Sequence, residues 1–147
     1  MALIEHKRVH FDFEILETIE AGIVLSGTEV KSLRARHGKL EGSHVVVRGG
    51  EAFLVGASIP PFQAKNAPKG YDPEYSRKLL LSREQIKELS QKADARGLTI
   101  VPISMYNKGR LVKLSIGIAR GKKKFDKREA IKKRDTERDI KRDLKRL

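Results

Sequence analysis

Apolar positions along the chain follow two rhythms, one of strands and one of helices. Phe13 to Ser26 is rich in Ile, Val and Leu and predicts a strand, with a bend or bulge at Ala21-Gly22. Val45 to Arg48 and Ala52 to Val55 flank Gly49-Gly50, the signature of a two-residue hairpin. Leu98 to Tyr106 and Leu111 to Ala119 flank Asn107-Lys108-Gly109 and predict a second hairpin. Alternation along Leu111 to Ala119 is imperfect, so that strand is expected to be buried on both faces for part of its length. Helical spacing interrupts the strands twice. Thr28 is placed to cap a helix running through Arg36, with Glu29 in its first turn and Gly38 beyond its end. Val30, Leu33 and Arg34 then give it one packing side and one basic side. Ser82 to Gln85 reads as a capping box for a helix carrying Ile86, Leu89 and Ala93, with Gly97 as its stop. Pro60 to Ser76, with four prolines and Gly70, predicts a long loop of the kind that tends to carry function.

The expected fold class is mainly β: a small antiparallel barrel of the oligonucleotide-binding (OB) type with packed helices. A Greek-key sandwich would give a similar pattern. The barrel is expected over residues 1–120, with a separate basic tail over 121–147. Arg120 to Leu147 holds 14 Lys and Arg against 6 Asp and Glu, a net of +8, whereas the first 119 residues hold 18 against 13, a net of +5. The tail has too few apolar residues for a core of its own. Its alternating charges and lack of Pro predict a segment disordered alone and helical once docked on RNA.

Charge narrows the partners. Lys and Arg total 32 against 19 Asp and Glu, a net of +13, and so strong an excess favours a polyanion, since neutralised phosphates release their counterions. Nucleic acid comes first and an anionic membrane surface second. There is no signal-like apolar run at the N-terminus and no stretch of membrane-spanning length, so a cytoplasmic protein is expected.

Catalytic chemistry is not visible. The chain has no cysteine, which removes disulfides, thiolate metal sites and cysteine nucleophiles. His6 and His10 stand four apart without an HExxH pattern, and the glycines form neither a Walker nor a dinucleotide signature. Glu17 and Glu20 are better explained as solvated strand residues than as a catalytic pair. The expectation is a non-enzyme without cofactor or metal. The basic features are more specific. Ala119 to Arg128 sets cations on both sides of Phe125, so that Lys and Arg can reach phosphates while the ring stacks on an unpaired base.

Five segments, in order, resemble the SsrA-binding protein (SmpB) family: Phe13 to Leu25, Gly27 to Ala35 (GTEVKSLRA), Arg77 to Leu81 (RKLLL), Gly97 to Pro102, and Ala119 to Lys123 with Asp126 to Glu129. The resemblance implies an OB-type barrel that binds the tRNA-like domain of transfer-messenger RNA (tmRNA). It also implies delivery of that RNA to stalled ribosomes for trans-translation, with the tail in the empty mRNA channel against small-subunit rRNA. The protein would act as a monomer. By motif, the resemblance assigns RNA contacts to His6, Lys7, Arg8, Glu29, Lys31, Arg34, Arg77, Lys78 and Leu79. It assigns ribosome contacts to Gly121, Lys122, Lys123, Phe125, Asp126, Lys127 and Arg128. His6 stands where the family commonly has Asn, Phe11 where it has His, and Phe125 where it often has His. The rival reading is a ribosomal or other structural rRNA-binding protein, which shares the charge but not the ordered motifs.

Overall fold

The computed structural model describes residues 2–63 and 69–122. Its elements run β1 (Ala2–Glu5), α1 (Val9–Asp12), β2 (Phe13–Ile23), α2 (Gly27–Arg34), β3 (His44–Arg48), β4 (Glu51–Val55), β5 (Arg77–Leu80), α3 (Arg83–Asp94), β6 (Leu98–Lys108) and β7 (Leu111–Gly121). The strands form one seven-stranded sheet in the order β1-β6-β7-β2-β5-β4-β3, with every pairing antiparallel. The sheet curls until β3 packs against β6, and α3 lies over that seam against both strands. This is the OB-type barrel that the patterning suggested.

The core follows from period-two burial. Val112, Leu114, Ile116 and Ile118 point inward from β7 and meet Ile23, Leu54, Leu79, Ile100 and Met105, with Leu33 of α2 and Leu89 of α3 closing the ends. β7 is indeed buried on both faces over Ile116 to Ala119. Its outer face there lies in a second cluster in which Val9 of α1 packs with Val101, Ala119, Phe13, Ile15 and Ile103. Gly117 keeps that layer thin: a Cβ there would stand 3.0 Å from Ile103 Cδ1 and 3.2 Å from Ile15 Cδ1.

Several local expectations shift. The β2 irregularity lies between Ile15 and Glu17, not at Ala21-Gly22. Gly22 instead marks where β2 changes partners, pairing with Lys113 on one side and Leu80 on the other. α2 begins two residues earlier than a cap at Thr28 predicted. Ser26 is the cap, accepting from the Glu29 N–H at 3.3 Å while its own N–H donates to Glu29 Oε1 at 3.0 Å. The second hairpin turns on Gly109-Arg110, because Lys108 and Leu111 already pair. Ser82 and Gln85 do form the predicted capping box, but Ala93 of α3 is exposed and Leu89 carries the burial. β1 and β5 were not read as strands. Each is short, and β5 follows the long loop directly.

Candidate nucleic-acid interface

Glu29 sits in the first turn of α2, where its carboxylate completes the capping box, yet it is 1% exposed. Arg77 opens β5 on the opposite wall and is equally buried. The two meet at 3.0 Å, Arg77 Nε donating to Glu29 Oε2. A second oxygen, Glu29 Oε1, accepts from the Tyr75 hydroxyl at 2.5 Å. Arg77 also donates to the Ala57 carbonyl at 2.8 Å and to the Tyr71 hydroxyl, which itself donates to the Ile59 carbonyl. Its guanidinium lies 4.1 Å from the centre of the Tyr75 ring. The network ties α2, β5 and both ends of the long loop together. Burial pushes the Glu29 carboxyl up, but the Tyr75 hydroxyl, the Ser26 N–H and Arg77 outweigh it and hold it below its ordinary value. Burial and the adjacent Glu29 push the Tyr75 phenol up to about 12.

Two of the assigned contacts thus lie inside the fold. Glu29 and Arg77 hydrogen-bond to each other and to the surrounding fold, and both are buried in the free chain. Leu79 is likewise core, at 2% exposure, and its neighbour Leu80 faces outward at 54%. His6, a fourth assigned residue, is buried as well. Pro102 and Ser104 flank a bulge in β6, and Pro102 has no N–H to give the ladder. The His6 backbone N–H donates to the Ile103 carbonyl at 2.8 Å and its ring Nδ1 donates to the Pro102 carbonyl at 3.0 Å. His6 is buried because it satisfies the carbonyls that this bulge leaves over.

The remaining assigned cations reach the surface. Lys7, Arg8, Lys31, Arg34 and Lys78 are exposed. Arg8 stacks 4.8 Å over the Phe11 ring, which occupies the place where a histidine was expected. Lys78 pairs with Glu51 at 3.2 Å across exposed strands. Arg34 Nη2 donates to the Arg110 carbonyl at 3.0 Å. Glu20 does not pair with Glu17; it accepts from Tyr106 and Lys108. Of the tail residues, Gly121 ends β7 opposite Phe13. Lys122 is fastened to the end of α1, its N–H donating to the Asp12 carbonyl at 3.0 Å and its Nζ to the His10 carbonyl at 2.9 Å. Lys123, Phe125, Asp126, Lys127 and Arg128, and with them the expected order of the tail, lie outside the described residues.

Sequence reasoning missed Tyr71, Tyr75 and Arg110. The two tyrosines carried a signal, aromatic residues four apart in a proline-rich loop just ahead of an arginine. Arg110 carried none. Among the described residues, no group of three or more His, Asp and Glu could hold a metal ion, and no helix is long and apolar enough to cross a membrane.

The family model described as SmpB protein matches residues 3–146. The chain belongs to the SmpB family. It is similar to the SsrA-binding protein of Gloeothece citriformis (strain PCC 7424), 47% identical over 142 residues that cover 97% of this chain and 92% of the relative. The SsrA-binding protein of Chloroflexus aggregans (strain MD-66 / DSM 9485) is 49% identical over 142 residues, covering 97% and 90%. That of Streptococcus pyogenes serotype M49 (strain NZ131) is 46% identical over 143 residues, covering 97% and 92%. A solved chain described under "tmRNA-SmpB: a journey to the center of the bacterial ribosome" superposes with a TM-score of 0.70 at 42% identity, covering 87% of this chain and 93% of that one. The SmpB-family match thus extends through the barrel and into the basic tail.

Proposed function

We propose that this chain binds tmRNA and delivers it to stalled bacterial ribosomes for trans-translation, acting in the cytoplasm and without covalent chemistry of its own. The observation that carries the reading is the SmpB-family match across nearly the whole chain, in register with a barrel whose exposed cations suit a phosphate backbone. The barrel is the tmRNA-binding part. Lys7, Arg8, Lys31, Arg34 and Lys78 supply its surface charge. Glu29 and Arg77 are positioning residues: their ion pair fixes the start of α2, so that Lys31 and Arg34 on the following turns face the RNA. His6 positions Lys7 and Arg8 in the same way by anchoring the segment to β6. The tail from Gly121 onward enters the empty mRNA channel, where Lys122, Lys123, Lys127 and Arg128 meet small-subunit rRNA. Asp126 belongs to the same ribosome-engaging segment, and Phe125 stacks on an exposed base.

Capture of RNA by the tagged full-length protein from a bacterial lysate, followed by sequencing, tests this reading. One dominant tmRNA species is expected. Bulk ribosomal RNA without tmRNA enrichment would favour a general rRNA-binding protein instead.

A further inference from the structure

β7 stays paired on both sides almost to its end: Arg120 faces Leu98 of β6 and Glu14 of β2, and Gly121 faces Phe13. The chain does not leave the barrel there. Lys122 carries the ladder one bond further, onto α1, its N–H donating to the Asp12 carbonyl at 3.0 Å. Its Nζ reaches back to the His10 carbonyl at 2.9 Å. Both carbonyls belong to the last turn of α1, where a helix has no N–H of its own to offer; the Val9 carbonyl is already taken by the Phe13 N–H. α1 is itself held fast. Val9 is 2% exposed and packs with Ala119, on the same stretch of β7 that ends at Gly121. His6, just ahead of the helix, is fastened to the Ile103 and Pro102 carbonyls of β6. Gly121 fixes nothing by comparison. A Cβ there would meet no atom within 4 Å, and its φ is not positive.

The path of the chain beyond Lys122 therefore starts from α1, not from a free joint at Gly121. A segment that must enter a narrow channel gains from a fixed point of departure, because orientations it need not search are entropy already removed. We propose that α1 and Lys122 form a clasp that aims the tail, with Lys122 as a positioning residue for its entry into the mRNA channel. An ammonium has three N–H donors, so the clasp does not bar Lys122 from rRNA phosphate. The clasp stands on the free chain; its consequence on the ribosome rests on the proposed delivery role.

The test uses the full chain in two stages. In the free protein, amide exchange followed by NMR reads the clasp without tmRNA or ribosomes. The Lys122 N–H should be protected relative to an open chain. Lys122→Met, which removes the bond to His10, should lower that protection about tenfold, and Lys122→Arg should keep it. On stalled ribosomes, Thr136→Cys carries an iron chelate whose radicals cut nearby rRNA, a clean probe because the chain has no cysteine of its own. The cuts should fall at a confined set of nucleotides. Lys122→Met should spread them and slow peptidyl transfer at saturating protein with tmRNA affinity unchanged, and Lys122→Arg should restore both. An unprotected Lys122 amide in the wild type overturns the clasp whatever the ribosome assay gives. Unchanged cuts in Lys122→Met overturn the aiming, and slower transfer with the cuts in place makes Lys122 a phosphate contact alone. A protected amide in a wild type that supports no transfer leaves the clasp standing and overturns the delivery role, and the aiming with it.

Discussion

Replacing Glu29 with alanine separates two accounts of this residue that a binding assay alone would confuse. A surface carboxylate that bonds RNA would leave stability almost unchanged when removed and lower the affinity of a folded protein. The structure puts the carboxylate inside, bonded to Arg77, Tyr75 and the Ser26 N–H. Its loss strands a guanidinium that is fully enclosed. Breaking such a pair by removing one member costs about 3–5 kcal/mol, because the other charge stays buried without compensation. Loss of the cap's reciprocal bond falls within that figure. On a domain of this size the melting temperature should drop by roughly 10–20 °C. The assay is thermal unfolding followed by circular dichroism, paired with tmRNA titration at a temperature where the variant is still folded. The folded variant should keep most of its affinity, and losses should track the unfolded fraction. Acid titration adds a second readout. The folded carboxyl lies below its unfolded value, so its stabilisation is complete above about pH 4.3 and is lost as pH falls through the lower folded value. Glu29→Gln should therefore flatten the acid limb of the stability profile. A Glu29→Ala protein that melts within about 1 kcal/mol of wild type yet binds tmRNA poorly would refute the burial argument.

Three further outcomes are expected. His6→Ala should cost about 1–3 kcal/mol by leaving the buried Pro102 carbonyl unpaired, whereas His6→Asn should recover much of that if its amide reaches the same oxygen; denaturant titration compares them. Gly117→Val should destabilise by about 1–3 kcal/mol through overpacking between Ile103 and Ile15, read as a lower urea midpoint. Phe125→Ala should leave tmRNA affinity unchanged and slow peptidyl transfer to charged tmRNA on stalled ribosomes, measured by tag incorporation over time.

What was legible in the sequence was whatever local chemistry decides. Gly49-Gly50 specified its hairpin because both residues adopt positive φ, at 59° and 76°. Ser82 and Gln85 specified the start of α3 because a capping box is complete within four residues. The doubly buried stretch of β7 showed in its broken alternation. What the sequence did not show came from long-range pairing. Nothing near His6 announces that it will satisfy a bulge almost a hundred residues away in β6. Glu29 and Arg77 each looked like a surface contact, because the partner that buries each lies 48 residues distant. Motif resemblance selected both residues without telling whether they touch RNA or hold the part that does. The Arg34–Arg110 contact is a property of topology alone.

The central claim is that this protein brings tmRNA to stalled ribosomes. Purified bacterial ribosomes stalled at the end of an mRNA lacking a stop codon, supplied with alanine-charged tmRNA and its elongation factor, test it directly. Transfer of the nascent chain to the alanyl-tmRNA should depend on adding this protein, rising with its concentration and saturating near one copy per tmRNA. Transfer that proceeds equally without the protein, or fails at saturating protein although tmRNA is bound, would contradict the account.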